Sequence, residues 1–201
     1  MMTTFTSDWF SYAIPNFTAI SNHMGPVTRI LEIGVYQGRA TCWMLEHMLA
    51  KDGHMTCVDP FIEDEVDAFT TELVTQSPHY NPERLTLWRS NTEEIRQPEQ
   101  TLDLRVGRSY RELAKLIQEN QTFDFIYVDG NHTAATVLAD ASMCFGLLRP
   151  SGIMLFDDYL WDHDPNWLFR PKMSVDAFVN MYQPLSQQII SNYQLAIQRI
   201  K

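Results

Sequence analysis

Three aspartates stand directly after two apolar segments of this 201-residue chain. Asp129 follows residues 123–128, and Asp157 and Asp158 follow residues 153–156. If the two segments are neighbouring parallel strands, the three carboxylates share a small volume at one sheet edge and raise one another's pKa. A hard divalent cation relieves that repulsion, and ligation by oxygen alone favours Mg²⁺ over zinc. We therefore expect Mg²⁺ or another divalent cation at Asp129, Asp157 and Asp158. The alternative is that some of these acids cap a helix or pair with Arg or Lys.

His132 lies three residues beyond Asp129, in the expected loop before the next helix. An imidazole with its ordinary pKa of about 6.5 accepts a hydroxyl proton near neutral pH. A metal ion that coordinates the hydroxyl lowers the hydroxyl's own pKa and assists the transfer. His132 is therefore the candidate general base, and the alternative is a histidine that caps the helix.

A second candidate site surrounds Gly34 and Gly38. Residues 29–33 are rich in apolar, β-prone side chains (Ile30, Leu31 and Ile33), as in a buried parallel strand, and residues 40–50 have the pattern of a helix. A strand that turns through glycine into a helix directs free backbone N–H groups at a ligand above the sheet edge. The dinucleotide fingerprint does not fit, because Glu32 stands where that motif has a glycine. The alternative is an ordinary tight turn of an α/β protein.

Strand and helix patterns alternate along the rest of the chain. Strands are expected at residues 54–59, 102–106, 123–129 and 153–158, a closing strand pair at 188–191 and 194–200, and helices at 82–95, 110–117, 133–148 and 174–182. Gly53 is the expected C-cap of the helix at residues 40–50. The alternation predicts an α/β fold with a Rossmann-like, doubly wound, mostly parallel seven-stranded sheet and an antiparallel C-terminal strand pair.

We expect one domain over residues 1–201, with an N-terminal helical flap at 1–28 and an insertion plus a helix at 61–100. The N-terminal part is rich in aromatic side chains, namely Phe5, Trp9, Phe10, Tyr12 and Phe17. They indicate either a helix packed on the core, or a flap over a bound ligand or a dimer contact.

The composition limits the partners. A net charge of −10 argues against binding a nucleic-acid backbone, so a small molecule is the expected binding partner. No apolar run approaches a membrane span, and no secretory signal is evident, so no membrane partner is expected. The three cysteines stand far apart in apolar settings, which predicts buried thiols in a reducing cytoplasm. A homodimer is a further expectation.

Four segments in order carry a resemblance to a known family. They are Leu31-Glu-Ile-Gly-Val-Tyr-Gln-Gly38, Cys57-Val-Asp-Pro60, Phe123-Asp-Phe-Ile-Tyr-Val-Asp-Gly-Asn-His132 and Leu147-Leu-Arg-Pro-Ser-Gly-Ile-Met-Leu-Phe-Asp-Asp-Tyr159. Together they resemble class I methyltransferases that use S-adenosylmethionine (SAM), of the small bacterial Asp-Gly-x-His type. They also resemble metal-dependent O-methyltransferases of the catechol type and those that act on macrolide sugars. The resemblance spans about residues 29–201.

The resemblance implies a set of cofactor-binding and metal-binding positions. Asp59 would accept from the ribose hydroxyls, Pro60 or Phe61 would face the adenine, and Ser109 stands where the catechol-type enzymes contact adenine. The full implied cofactor set is Glu32, Gly34, Tyr36, Gly38, Asp59, Pro60, Phe61, Ser109 and Asp129. The metal ligands of the family lie at the same two strand ends, commonly with Asn in place of Asp158. The catechol-type enzymes have lysine at the position of His132, and the sugar-modifying enzymes have histidine.

The expected function is therefore SAM-dependent O-methylation of a small hydroxylated molecule, assisted by a metal, with His132 as the base. Three alternatives remain from the sequence: a metal-independent N- or carboxyl methyltransferase, a SAM-binding protein without turnover, and a nicotinamide oxidoreductase. The last is disfavoured by Glu32 in the first loop.

Overall fold

The computed structural model describes residues 3–61, 65–66, 73–74 and 83–201 of the chain. Most of the expected insertion therefore lies outside the described residues, as does Pro82 at the expected start of the following helix. Within the described part, the two short strands Glu65–Val66 and Leu73–Val74 pair antiparallel.

The described part of the chain contains six α-helices, nine strands and two short 3₁₀ helices, Trp167–Phe169 and Gln183–Leu185. The helices are α1 (Ile14–Met24), α2 (Arg39–His47), α3 (Arg84–Ile95), α4 (Ser109–Gln118), α5 (Ala134–Leu147) and α6 (Lys172–Tyr182). The strands are β1 (Val27–Ile33), β2 (Leu49–Asp59), β3 (Glu65–Val66), β4 (Leu73–Val74), β5 (Thr101–Val106), β6 (Phe123–Val128), β7 (Leu148–Phe156), β8 (Ser186–Ser191) and β9 (Leu195–Arg199).

Seven of the strands form one sheet in the order β5-β2-β1-β6-β7-β9-β8. The pairs among β5, β2, β1, β6 and β7 are parallel, whereas β9 pairs antiparallel with both β7 and β8. Along the chain, β2 and β5 are added on one side of β1, and β6 and β7 are then added on its other side. This change of side places helices on both faces of the sheet. This confirms the predicted doubly wound α/β fold with an antiparallel C-terminal strand pair.

The core is divided by the sheet into two apolar layers. Neighbouring residues of a strand point to opposite faces, so Leu31 packs toward α4, α5 and α6, whereas Ile30 packs toward α1, α2 and α3. Both residues are fully buried, which explains why apolar side chains stand next to each other in the second half of β1 instead of alternating with polar ones. Phe10 and Phe17 belong to the second layer, so these two N-terminal aromatics pack on the core.

The end of α2 differs from the prediction. The helix stops at His47, β2 begins at Leu49, and Gly53 lies inside β2, so it is not a C-cap. Leu49 is buried and pairs with Val27, and the next aligned pair is Arg29 with His54. Residues 50–53 therefore form an irregular, bulged stretch of β2. Pairing with β1 outweighs the helical preference of this short apolar run.

The boundary between α5 and β7 moves in the same way. The helix ends at Leu147, and residues 148–152, expected as the end of the helix and a turn, form the first half of β7. Leu148 is buried and pairs with Phe123 of β6. In both places a strand begins earlier than its sequence pattern indicates.

The three cysteines are buried and unpaired, as predicted, and burial raises the pKa of each thiol. Among the described residues, no helix has both the length and the apolar character needed to cross a bilayer.

Candidate active site

A cavity of about 690 Å³ opens at the carboxyl ends of the central strands. The backbone ladder continues one residue past each strand: Gly34 N–H donates to Val58, Asp129 N–H donates to Ile33, and Asp157 N–H donates to the carbonyl of Val128. These bonds, between 2.8 and 3.0 Å, align the first residues after β1, β6 and β7 along the cavity floor. The predicted convergence of strand ends is therefore observed.

Gly34 is required by the close approach of two backbones. Its φ is +82°, and a Cβ built there would lie 1.9 Å from the carbonyl oxygen of Asp129. No side chain fits at that distance, so the loop after β1 lies directly against the loop after β6. Gly38 also has a positive φ, and a Cβ there would lie 2.8 Å from the ring of Trp88.

Asp59 holds the glycine loop. Its Oδ2 accepts from the N–H groups of Val35 (2.9 Å) and Tyr36 (3.2 Å), and its Oδ1 accepts from Phe61 N–H (2.7 Å). A carboxylate offers about four lone-pair positions, so three backbone bonds leave about one for a ligand hydroxyl. Asp59 lines the cavity, but most of its hydrogen-bonding capacity is used to fix the loop.

Glu32 is fully buried below that loop and lines the cavity. It accepts from the hydroxyl of Thr41 at 2.6 Å and lies 3.6 Å from the sulfur of Cys57. Its other oxygen, Oε1, has no hydrogen-bond partner among the residues that the structure describes. Burial raises the pKa of Glu32 to about 8, even though its hydrogen bonds with Thr41 and Cys57 lower the pKa.

Not every predicted cofactor residue reaches the cavity. Glu32, Gly34, Tyr36, Asp59, Pro60, Ser109 and Asp129 line it. Gly38 and Phe61 are not part of the described cavity wall; the Phe61 ring lies 5.8 Å from the guanidinium carbon of Arg84. Ser109 is the first residue of α4, two residues after Gly107, and its side chain hydrogen-bonds to Asp140 of α5.

Asp129, His132 and Asp158 form a compact group at the other end of the cavity. One ligand atom from each lies within 4.8 Å of the other two. His132 Nε2 lies 2.8 Å from Asp158 Oδ2, and the imidazole stacks on the ring of Trp161 at 5.1 Å. Burial, followed by the charges of Asp157 and Asp158, raises the pKa of Asp129 well above its ordinary value. The structure thus brings together two of the three predicted metal ligands and the predicted base.

Asp157, the third predicted ligand, is placed differently. Its Oδ1 accepts from Tyr12 Oη (2.7 Å), Asp158 N–H (2.9 Å) and Gln194 Nε2 (3.0 Å), and its Oδ2 contacts the hydroxyl of Tyr127. Only 5% of Asp157 is exposed, and burial and the neighbouring Asp158 raise its pKa. Among the described residues, the compact group with metal-ligand spacing does not include Asp157.

Tyr127 is a site residue that the sequence interpretation missed. Its hydroxyl lies 3.1 Å from Asp129 Oδ2 and also contacts Asp157, although the side chain is buried. One phenolic proton serves one carboxylate at a time, so Tyr127 links the two acids. The signal in the sequence is its spacing, because residues two apart on a strand point to the same face.

The N-terminal segment, residues 4–12, lies across the cavity. At one end, the backbone of Thr4 exchanges two hydrogen bonds with the Asn91 side chain, and Thr6 exchanges two with the Gln37 side chain. In the middle, the Trp9 ring packs on that of Tyr36 at 4.9 Å. Phe5, Trp9, Phe10 and Tyr12 all line the cavity, so this segment forms one of its walls.

Comparison with known proteins identifies the family. A family described as Methyltransferase domain matches residues 31–159, which is more than half of the chain. Among curated proteins, no sequence matches.

Solved structures of similar fold include methyltransferases of more than one kind. An O-methyltransferase from Bacillus cereus in complex with SAH has a TM-score of 0.65 and 16% identity, with 98% of this chain and 84% of that chain covered. The O-methyltransferase TomG from Streptomyces achromogenes, in complex with SAM, has a TM-score of 0.63 and 16% identity over 95% and 81% of the two chains. The N-methyltransferase NodS from Bradyrhizobium japonicum WM9 has a TM-score of 0.57 and 13% identity over 94% and 96%.

At these identities the structural likeness establishes the fold, and the family match is an independent finding. The glycine loop, the acid at the end of β2 and the group of Asp129, His132 and Asp158 lie within the matched residues 31–159, whereas the N-terminal wall of the cavity lies outside them. The chain belongs to the Methyltransferase domain family and is a SAM-dependent methyltransferase.

Proposed function

We propose that this methyltransferase methylates a hydroxyl oxygen of a small molecule, with a divalent cation beside the acceptor and His132 as the general base. The observation that carries the proposal is the group of Asp129, His132 and Asp158, which lies in the same cavity as the glycine loop. Because the methyl donor and the acceptor must meet in line, a single cavity that contains both sets of residues suits direct transfer.

The donor end of the cavity has the features that SAM requires. In this proposal the loop at Gly34 would allow close approach of the cofactor, Asp59 would use its remaining lone-pair position for a ribose hydroxyl, and Pro60 and Ser109, which line the cavity, would contact the adenine. SAM supplies a methyl group already activated by its sulfonium, so the protein mainly binds and orients.

The acid group fits a divalent cation. Asp129 and Asp158 offer carboxylate oxygens of the kind that Mg²⁺ and Mn²⁺ accept, and in this proposal His132 beside them takes the proton and is not a ligand. The raised pKa of Asp129 reflects burial among like charges, which a cation would relieve. When bound, such a cation supplies positive charge that lowers the pKa of a neighbouring hydroxyl.

His132 is arranged to accept the proton. Nε2 lies at ion-pair distance, 2.8 Å, from Asp158 Oδ2, and the ring stacks on Trp161. In the tautomer that carries its proton on Nε2, the other ring nitrogen has the lone pair that accepts the hydroxyl proton. In the proposed reaction the acceptor O–H loses its proton to His132 and its oxygen forms the new O–CH₃ bond. The S–CH₃ bond of SAM breaks, its electron pair stays on sulfur, and the product is S-adenosylhomocysteine.

The O-methyltransferases of similar fold support oxygen as the acceptor atom, whereas the N-methyltransferase NodS shares the fold as well. The acceptor end is lined by Tyr12, Trp161, His163 and Tyr193, which favours a compact molecule with a flat or ring-shaped part. In this proposal, the N-terminal segment acts as a flap over the bound molecules.

The test is methyl transfer from labelled SAM over a panel of hydroxylated and amino acceptors, with chelator and with added Mg²⁺ or Mn²⁺. We expect transfer to a hydroxyl that chelator abolishes and metal restores, while SAM still binds in chelator. Transfer to amines alone, or full activity in chelator, would contradict the oxygen acceptor and the cation respectively. Retention of SAM without transfer to any acceptor would favour a binding protein without turnover.

A further inference from the structure

Asp140 is a buried acid that takes no part in the proposed transfer. It lies in the middle of α5, and only 1% of it is exposed. Its Oδ1 has no hydrogen-bond partner among the residues that the structure describes. Burial raises the pKa of Asp140 to about 7, although a hydrogen bond from the Ser109 side chain lowers it. Burying an acid with an unpartnered oxygen costs free energy, so its presence calls for an explanation.

Asp140 lies directly behind the wall of the cavity. It is not part of the described wall itself, but Thr136, one helical turn earlier on the same face of α5, lines the cavity. Gly130 also lines the cavity, and a Cβ built there would lie 3.8 Å from Asp140 Oδ2. Ser109, the first residue of α4, lines the cavity and hydrogen-bonds to Asp140. Asp140 therefore reaches the ligand site through Ser109.

The hydrogen bond with Asp140 fixes what Ser109 offers to a ligand. A hydroxyl has one proton and two lone pairs, whereas an ionised carboxylate can only accept. The bond lowers the pKa of Asp140, which is the effect of a hydroxyl that donates to a carboxylate. The single proton of Ser109 is then used, and its lone pairs remain for the cavity. Ser109 thus presents an acceptor, and not a donor, to a ligand beside it.

An acceptor at this position distinguishes between purine bases. Adenine carries an amino group at C6, which donates, beside ring nitrogens that accept. Hypoxanthine carries a carbonyl oxygen at C6 instead, and that oxygen cannot bond to a lone pair of Ser109. A serine whose proton were free could turn and donate to the carbonyl oxygen. Selectivity for adenine therefore requires that the Ser109 proton is held away from the cavity.

We propose that Asp140 is a positioning residue for cofactor recognition, which orients the Ser109 hydroxyl so that its lone pairs accept from the adenine amino group. This proposal rests on the cofactor placement of the proposed function, in which the adenine lies beside Ser109. It gives Asp140 a role in selecting an adenine cofactor over its 6-oxo analogue. It also explains why an acid is buried behind this part of the wall.

The first test compares the Kd values of S-adenosylhomocysteine and S-inosylhomocysteine, measured by calorimetry at about pH 8, where a carboxyl with a pKa of about 7 is mostly ionised. Wild type should bind the inosine analogue about 10- to 100-fold more weakly, the range for a stranded hydrogen-bonding group. In Asp140→Ala the ratio of the two Kd values should fall to about threefold or less, because the freed Ser109 proton can turn to the carbonyl oxygen. A wild-type ratio retained in this variant overturns the proposal.

The ratio separates positioning from a structural effect, because a damaged fold would weaken both ligands alike. Asp176→Ala makes the same chemical change on α6, outside the described cavity wall, and should keep the wild-type ratio. If Asp140→Ala does not fold, Asp140→Leu takes its place, since it also removes the acceptor but fills the volume with apolar atoms. The same fall in the ratio is expected there.

The second test combines the two partners. Ser109→Ala should also lower the ratio, because it removes the lone pairs that accept from the amino group. Adding Asp140→Ala to Ser109→Ala should then leave the ratio unchanged, since Asp140 acts only through the hydroxyl that is already absent. A further fall of the ratio in the double variant overturns the coupling.

The proposal and the cofactor placement on which it rests fail differently. A full wild-type ratio in Ser109→Ala shows that the adenine does not lie beside Ser109, and so contradicts the cofactor placement. A ratio that falls in Ser109→Ala and stays at the wild-type value in Asp140→Ala contradicts only the role of Asp140. Neither result bears on the oxygen acceptor, the cation or His132, because these binding measurements contain no acceptor and involve no transfer.

Discussion

Replacing Gly34 by alanine is expected to lower the free energy of unfolding by about 2–5 kcal/mol. Two effects contribute, and both can be read from the loop geometry. A φ of +82° costs a residue with a Cβ about 1–2 kcal/mol. The added Cβ would lie 1.9 Å from the Asp129 carbonyl oxygen, so the two backbones must separate, and such overpacking costs typically about 1–3 kcal/mol.

Urea unfolding followed by circular dichroism and by tryptophan fluorescence measures this change. With a slope of about 2 kcal/mol per molar urea, the midpoint should fall by about 1–2.5 M. Coincident transitions from the two probes are required before a free energy is derived.

Gly146→Ala is the matched control, because it makes the same chemical change near the end of α5. A Cβ at Gly146 meets nothing within 4 Å, and no positive φ is recorded there, so the variant should be unchanged or more stable by up to about 1 kcal/mol. Equal midpoints for Gly34→Ala and wild type would refute the close approach of the loops after β1 and β6.

Three further outcomes follow from single side chains of the site. Glu32, with a pKa of about 8, stabilises the fold fully below its ordinary pKa of 4.5, and this contribution is lost as pH rises toward and through 8. Urea titrations between about pH 5 and 9 should therefore show wild type losing on the order of 1 kcal/mol per pH unit relative to Glu32→Gln, and parallel curves would contradict the buried carboxyl. Asp59→Ala should weaken SAM binding by about 1–3 kcal/mol in calorimetry, because it releases the loop amides and strands their N–H groups; an unchanged Kd would remove Asp59 from the site. His132→Ala should slow methyl transfer by about 10²–10⁴-fold, with SAM affinity unchanged and a residual rate that rises with pH. His23→Ala, a change at an exposed histidine, is the control and should behave as wild type. Normal turnover by His132→Ala would show that His132 is not the general base.

The fold class and most elements follow from local features of the sequence. Buried parallel strands are continuous apolar runs, helices repeat their apolar residues with a period near 3.6, and Gly34 marks a turn that a Cβ would prevent. Because the carboxyl ends of parallel strands meet at one edge, the sequence also predicts that Asp59, Asp129 and Asp157 lie around one cavity.

The boundaries at Leu49 and Leu148 depend on the tertiary structure. Both residues follow helical segments in the sequence, but pairing with Val27 and Phe123 draws them into strands. A short apolar run is compatible with either state, and the partner strand decides between them.

The different contacts of the neighbouring aspartates are likewise set by the tertiary structure. Asp157 and Asp158 are adjacent and chemically identical in the sequence, yet one faces four protein donors and the other faces His132. Tyr12 and Gln194, two of those donors, come from opposite ends of the chain, so no local pattern brings them together. The sequence by itself determines that carboxylates gather at this edge, because strand direction is a local property carried through the sheet. Which partners each carboxylate contacts is determined by hydrogen bonds between residues far apart in the chain, and these exist only once the sheet, the N-terminal segment and the C-terminal strand pair have packed together.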